Sequence, residues 1–161
     1  MPNYIITDKD ITNAKKVMQD FDAQKTYEKL ECANNWFGYL SEYKFKEYAS
    51  NLGVVFNWNN FLKPNFDEPD FTINKKSIDI KCTKDFALWL QEPKFDYYVL
   101  ALISRDEKEL SICGWLDKEA IIKLIKNKKY TVERSGRKDF RIPIEKLIPM
   151  KEFEEQIKVV I

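Results

Sequence analysis

The sequence has no histidine among its 161 residues. This absence excludes zinc sites with imidazole ligands, Ser-His-Asp triads, Cys-His proteases and nucleases that depend on a catalytic histidine. Any acid–base chemistry must therefore come from carboxylates, lysine, tyrosine or a metal-bound water.

Cysteine is also scarce. The three cysteines, Cys32, Cys82 and Cys113, are far apart in the sequence and form no CxxC pair. Neither a zinc clip nor a dithiol redox motif is expected from this spacing. We expect these residues to be small buried side chains of a protein in a reducing compartment.

Long apolar runs are missing as well. No stretch approaches the roughly 18 apolar residues of a transmembrane helix, and the charged segment Thr7-Asp8-Lys9-Asp10 is unlike a signal peptide. The expectation is a soluble cytoplasmic protein with no membrane partner. Because 44% of the residues are hydrophobic and no linker is rich in glycine or serine, we predict one core and a single domain over residues 1–161.

The charges are distributed unevenly, although the net charge is only +1. Residues 118–141 carry 9 basic and 3 acidic side chains. Two interpretations stay open for this segment: a solvated helix face followed by a turn, or a surface that contacts phosphate.

Helical spacing predicts two helices in the first third of the chain. Thr7 is positioned to cap a helix whose apolar residues recur every three or four positions, namely Ile11, Ala14, Met18 and Phe21. A longer helix is predicted from about Tyr27 to Leu52, with Gly53 as its C-terminal stop.

The rest of the chain is predicted to form strands, turns and shorter helices. Residues 54–56 are predicted to form a strand, and residues 57–60 and 63–65 to form loops. The apolar run 97–103 is typical of a strand buried on both faces, with 110–115 pairing back on it. The remaining predictions are a helix capped by Asp117, short strands at 130–133 and 140–142 around Ser135-Gly136, and a partly helical segment 144–157.

A charged hairpin follows Pro69. If the turn pairs Asn74 with Ser77, Asp70 lies opposite Lys81 and Asp79 is its diagonal neighbour. Alternation along the strands would place the charged residues on one face. The other face would then be apolar, made by Phe71, Ile73, Ile78, Ile80 and Cys82.

Two acids and an ammonium directed at one point suit a hydrolytic site built on a hard divalent cation. Carboxylate oxygens are the preferred ligands of such an ion, and the ion and the lysine together stabilise charge on a phosphate.

Glu42 is the third acid of interest. In the long helix it lies in a stripe with Gly38, Phe45 and Ala49, so its carboxylate should face inward and need a partner. It could point at a metal held by the hairpin, directly or through a water. The alternative is a buried network in which Glu42 pairs with a lysine or a tyrosine hydroxyl.

These residues together resemble the PD-(D/E)XK nuclease superfamily, also called restriction-endonuclease-like. The resemblance is carried by Gly38-xxx-Glu42-xx-Phe45 on a helix, then Pro69-Asp70, then Asp79-Ile80-Lys81, and by the order of elements over roughly residues 27–126. It implies an α/β fold with a central mixed β-sheet flanked by α-helices. It also implies Mg²⁺-dependent (or Mn²⁺-dependent) cleavage of phosphodiester bonds, usually in DNA.

The resemblance also implies a role for each residue. Asp70 and Asp79 would bind the metal, with Glu42 and the backbone carbonyl of Ile80 supporting the same ion, and Lys81 would orient or activate the attacking water or hold the phosphate. Thr83 and Lys84 are candidates for phosphate contact, or ordinary surface residues. A homodimer and a setting in phage or mobile-element biology are compatible with the resemblance.

Several alternatives stay open. An acid-x-lysine triplet also occurs at Glu42-Tyr43-Lys44 and Asp106-Glu107-Lys108, and Asp67 or Glu68 could replace Asp70 as a ligand. The protein could instead be a catalytically inactive nuclease-like module that binds nucleic acid or protein, or a structural protein with a coincidental hairpin. Three aromatic residues could stack on bases or pack in the core, namely Trp58, Phe86 and Trp89.

Overall fold

The computed structural model describes residues 1–24, 36–59 and 68–158, with the side chains of 21–24 left out. The helices are α1 (Asp8–Gln24), α2 (Trp36–Asn51), α3 (Lys118–Ile125) and α4 (Met150–Lys158). The strands are β1 (Asn3–Ile5), β2 (Phe56–Trp58), β3 (Phe71–Ile73), β4 (Lys76–Thr83), β5 (Ala87–Leu90), β6 (Tyr97–Ile103), β7 (Glu109–Asp117), β8 (Thr131–Arg134) and β9 (Arg137–Pro143).

The described strands form two sheets. A six-stranded mixed sheet has the order β1-β7-β6-β4-β3-β2, in which β4 and β6 are parallel and the other neighbours antiparallel. A smaller antiparallel sheet has the order β5-β9-β8. The fold is therefore mixed α/β, as the sequence predicts.

Each face of the large sheet has its own apolar core. The face that carries Ile78 and Ile80 packs against α1, α2 and α4. The opposite face, which carries Tyr98 and Leu100, packs against α3 and the small sheet. Since β4 alternates between these two faces, its charged residues lie on the side of the small sheet.

The predicted helix signals are confirmed where the structure describes them. The Thr7 Oγ1 accepts a hydrogen bond from Asp10 N at 3.2 Å, and Thr7 N donates one of 2.9 Å to Asp10 Oδ2, so that two free donors at the start of α1 are satisfied. Gly53 ends α2 in a left-handed conformation at φ 72°. The predicted start of that helix near Tyr27 lies outside the described residues, as do Cys32 and the predicted loop 63–65.

The predicted strands at 97–103 and 110–115 are confirmed as β6 and β7, and Asp117 caps α3 by accepting a hydrogen bond from Ala120 N. The Ser135-Gly136 turn does join β8 to β9, both residues having positive φ. The C-terminal segment is helical in part, as α4 and a short 3₁₀ turn at Ile144–Lys146. The sequence analysis did not predict the edge strand β1 or the strand β5.

The strand predicted at 54–56 is wrong in position. Strand β2 begins at Phe56 and includes Asn57 and Trp58, which were expected in a loop. The reason is a tertiary contact: Trp58 is paired with Phe71 across the ladder, and the two rings are stacked at 6.0 Å with an interplanar angle of 4°. This pairing overrides the local preference of asparagine for turns.

The predicted register of the charged hairpin is also wrong. The turn residues are Asn74 and Lys75, with φ of 50° and 64°, and Ile73 pairs with Lys76 rather than Asn74 with Ser77. Positive φ at both central positions is the type I′ hairpin turn, and asparagine suits its first position. The ladder therefore ends with Phe71 opposite Ile78. The predicted apolar face is kept, because a shift of two residues leaves every side chain on its side of the sheet.

The turn also contacts the end of the chain that the structure describes. The Asn74 Nδ2 donates a hydrogen bond of 2.6 Å to the carbonyl of Ile157 in the last turn of α4.

No helix within the described ranges is long and apolar enough to cross a membrane.

Replacing Lys75 by glycine should stabilise the protein, because lysine adopts a left-handed conformation at φ 64° that glycine adopts without a steric penalty. We expect the free energy of unfolding in urea to rise by roughly 0.5–1 kcal/mol. The matched control is Lys76→Gly within β4, which should lower it by a similar amount. The reverse order of the two variants would contradict the observed turn.

Candidate active site

Glu42 is buried on α2, with 4% of its surface exposed. Its Oε2 accepts a hydrogen bond of 3.1 Å from the indole Nε1 of Trp58. The Trp58 indole is therefore one partner of this carboxylate, and it is a partner that the sequence analysis did not consider. Because Trp58 is stacked on Phe71, its indole links the Glu42 carboxylate to the first residue of the hairpin.

Asp70 lies immediately before β3, at the point where the backbone ladder between β3 and β4 has ended. Its Oδ2 accepts a hydrogen bond of 2.7 Å from the backbone N–H of Ile80. The backbone of Asp70 is held as well, because its carbonyl accepts a hydrogen bond of 2.8 Å from Asn59 N, next to β2. The Asp70 side chain therefore bridges to β4 where the strands no longer pair.

Asp79 and Lys81 lie on the same face of β4. Asp79 is buried, with 6% of its surface exposed, and Lys81 Nζ lies 2.7 Å from Asp79 Oδ2. The Lys81 side chain is 42% exposed, so its ammonium lies between a buried carboxylate and open solvent. Contrary to the predicted register, Lys81 does not lie opposite Asp70 in the ladder.

Burial and mutual repulsion perturb two of the three acids. Burial, followed by the charge of Asp79, raises the pKa of Asp70 to about 7. Burial, followed by the charge of Asp70, raises the pKa of Glu42 well above its ordinary value, against the lowering effect of the Trp58 hydrogen bond. In both shifts burial is the larger cause, and the charge of a neighbouring carboxylate is the second.

Lys81 responds in the opposite sense. Burial lowers the pKa of Lys81, but the charge and close contact of Asp79, together with the charge of Asp70, outweigh this effect and raise the pKa overall. The structure thus brings Glu42, Asp70, Asp79 and Lys81 into one electrostatically coupled group, although they come from three separate parts of the sequence. This concentration of perturbed groups is typical of functional sites.

The donor set suits a hard cation. In the described part of the chain, no three Asp, Glu or Cys side chains form a ready metal-binding cluster. However, Asp79 Oδ2 is buried and accepts no hydrogen bond from any described residue, so its contact with Lys81 is an ion pair without good hydrogen-bond direction. The unsatisfied Asp79 oxygen and the charge interactions that link Glu42, Asp70 and Asp79 fit an oxygen-preferring divalent ion, which would relieve the repulsion. The Ile80 carbonyl stays a predicted ligand.

Thr83 and Lys84 lie beside this group, on the wall of an open cleft of about 670 Å³ that Lys81 also lines. The Thr83 hydroxyl accepts a hydrogen bond of 2.9 Å from Asp85 N, and Lys84 pairs with Glu107. Lys84 would have to leave that partner to contact a phosphate.

The competing acids are placed elsewhere or outside the described residues. Glu68 is exposed, and Asp67 is not described. In the other two triplets, Lys44 pairs with Glu47 at 3.1 Å, and Asp106 accepts a hydrogen bond from Ser104 in an exposed turn. Among the described residues, neither ammonium forms an ion pair with its own triplet's acid, although Lys108 donates its backbone N–H to Asp106 at 3.3 Å.

The sequence analysis missed two parts of the site. The hydrogen bond from Trp58 to Glu42 could not be found from spacing, because the indole is brought in by the β2–β3 pairing. The far wall of the cleft comes from the small sheet and includes Trp89, Arg134 and Arg137. The signals of this wall in the sequence were the basic excess in residues 118–141 and Trp89, which was considered for base stacking. Of the aromatic residues considered for base stacking, Phe86 is 58% exposed and Trp58 and Trp89 pack against protein side chains.

No protein-family model matches the chain, and no curated protein matches it significantly. The case for a function therefore depends on the residues and their geometry.

The raised pKa of Asp70 predicts a pH-dependent stability. Between pH of about 4 and 7 the folded protein keeps a proton that the unfolded chain has released, so the free energy of unfolding should fall as the pH rises through this window. Asp70→Asn keeps an oxygen acceptor for Ile80 N and removes the charge. In metal-free buffer it should raise the free energy of unfolding at pH 8 by roughly 1–3 kcal/mol and flatten the pH dependence.

The measurement is urea unfolding at several pH values from 5 to 8. The control is Glu92→Gln, because Glu92 is exposed. Equal pH profiles for Asp70→Asn and the wild-type protein would show that the Asp70 carboxyl is ionised throughout.

Proposed function

We propose that the protein is a divalent-metal-dependent nuclease that hydrolyses phosphodiester bonds in DNA, with a restriction-endonuclease-like fold. The observation that carries the proposal is the electrostatic interaction of Glu42, Asp70 and Asp79 with the ammonium of Lys81, around the middle of β4. The order α2, β3–β4 hairpin, β6 parallel to β4, β7 and α3 supports the fold part of the proposal.

The carboxylates would hold the metal. Asp70 and Asp79 extend from the two strands of the hairpin, and Glu42 approaches from α2. A bound Mg²⁺ or Mn²⁺ supplies a water of lowered pKa and neutralises charge that develops on the phosphate. Asp70 is held by Ile80 N and Glu42 by Trp58. Both carboxylates are thus oriented before any ligand arrives, which reduces the reorganisation that the reaction requires.

Lys81 would act on the substrate. The raised pKa of its amine keeps it protonated at neutral pH, so it acts as a cation toward a phosphate oxygen rather than as a base. Its ammonium contacts Asp79 and its side chain lines the cleft. A phosphodiester in the cleft would therefore meet the lysine next to the acids.

Asp79→Asn should abolish cleavage of DNA in Mn²⁺ or Mg²⁺, with a loss of at least about 1000-fold, because the substitution removes a charged ligand. The assay is a panel of supercoiled, linear, single-stranded, four-way-junction and RNA substrates. The matched control is Asp106→Asn, the acid of the exposed triplet, which should cleave like the wild-type protein. Equal cleavage by the wild-type protein in a chelator would refute metal-dependent catalysis, and binding without cleavage would favour the inactive module.

Lys81→Ala should separate metal binding from turnover. Mn²⁺ should raise the Tm of the wild-type protein and of Lys81→Ala by mass action, but should not raise that of Asp79→Asn. Lys81→Ala should nevertheless lose about 100-fold or more in kcat. The control is Lys108→Ala in the exposed turn. If Lys81→Ala loses the Mn²⁺-induced rise in Tm but keeps its turnover, the role given to Lys81 is contradicted.

A further inference from the structure

The small sheet presents an arginine-rich face to the candidate site. In β9, alternate residues Arg137, Asp139 and Arg141 share one face, and the pairing places Arg134 opposite Arg137 and Trp89 opposite Arg141. The other face is apolar and packs on the large sheet through Leu88, Leu90, Phe140 and Ile142. The arginine face is therefore the one that is free to line the cleft.

Two of the arginines are occupied by acids. Arg137 Nη2 donates to Asp139 Oδ2 at 3.2 Å, and Arg141 Nε donates to Asp85 Oδ2 at 3.1 Å. These ion pairs hold the side chains of Arg137 and Arg141 in place, and the two aspartates balance the charges of the two arginines.

Arg134 differs from them. Its guanidinium lies 4.0 Å from the centroid of the Trp89 ring, and it forms no ion pair with any described residue. The Trp89 indole is itself held by a hydrogen bond of 3.0 Å to Asp85 Oδ2. Stacking thus holds the guanidinium in place while its N–H groups donate to no residue that the structure describes, which is a favourable arrangement for binding a phosphate.

The opposite wall of the same cleft is the end of β4 with Lys81, Thr83 and Lys84. Arg134 and the candidate catalytic lysine therefore face a common space of about 670 Å³. We infer that this cleft binds the sugar–phosphate backbone of DNA next to the cleaved phosphate, with Arg134 as a phosphate contact. The inference rests on the proposed function for the identity of the ligand, but it assigns the binding surface to the small sheet.

The test measures binding separately from cleavage. A fluorescein-labelled 20-base-pair DNA duplex is titrated in a chelator, with anisotropy as the readout, from about 50 to 200 mM salt. Arg134→Gln should weaken binding roughly tenfold and reduce the slope of log K against log salt by about one. Arg134→Lys keeps the charge and should retain the wild-type slope. The control is Lys151→Gln, because Lys151 is exposed on α4, which packs on the opposite face of the large sheet.

Each outcome decides something. Wild-type affinity and salt slope in Arg134→Gln, or no binding by the wild-type protein, would overturn the inference. Metal-dependent cleavage together with unchanged binding in Arg134→Gln would leave the nuclease proposal intact and remove the cleft from it. If Arg134→Gln binds DNA more weakly and the wild-type protein never cleaves DNA with metal, the cleft is supported as a DNA-binding surface and the nuclease proposal is refuted. Circular dichroism and Tm confirm that each variant is folded.

Discussion

Crowding of negative charge is the constraint on which the candidate site depends. Glu42 and Asp79 are buried, Asp70 is half-buried, and the charges of the three carboxylates interact; ionised carboxylates in such a place are costly unless positive charge is near. Three groups stabilise the carboxylates in part: the ammonium of Lys81 near Asp79, the indole N–H of Trp58 on Glu42 and the backbone N–H of Ile80 on Asp70. The remaining cost is seen in the raised pKa values of Glu42 and Asp70, which a bound cation would lower.

Most of the fold was predictable because its elements carry local signals. Thr7 and Asp117 are side-chain caps, Gly53 adopts the left-handed conformation that ends α2, and the apolar run of β6 is buried on both sides as a central strand should be. What failed was decided by tertiary contact or by turn geometry. Strand β2 exists because Trp58 stacks on Phe71, and the edge strand β1 is so short that pairing with β7, rather than its own composition, defines it.

The candidate site was predictable in its members and less so in its geometry. Alternation along β4 correctly placed Asp79 and Lys81 on one face, and helical spacing correctly placed Glu42 inward. The hairpin register was misjudged because both Asn74-Lys75 and Lys75-Lys76 are plausible turn centres until backbone φ is known. The partners that orient the acids, Trp58 and the N–H of Ile80, come from pairing that no local pattern encodes.

Asn74 has two structural roles: it forms the left-handed hairpin turn, and it donates a hydrogen bond to the carbonyl of Ile157 in α4. Glycine would suit the left-handed backbone of the turn at least as well, but it has no side chain with which to satisfy a carbonyl at the end of a helix. Asparagine is one of few residues that meet both demands. The identity of this turn residue is therefore set by a helix more than 80 positions further along the chain, and the last helix and the hairpin constrain each other's sequence.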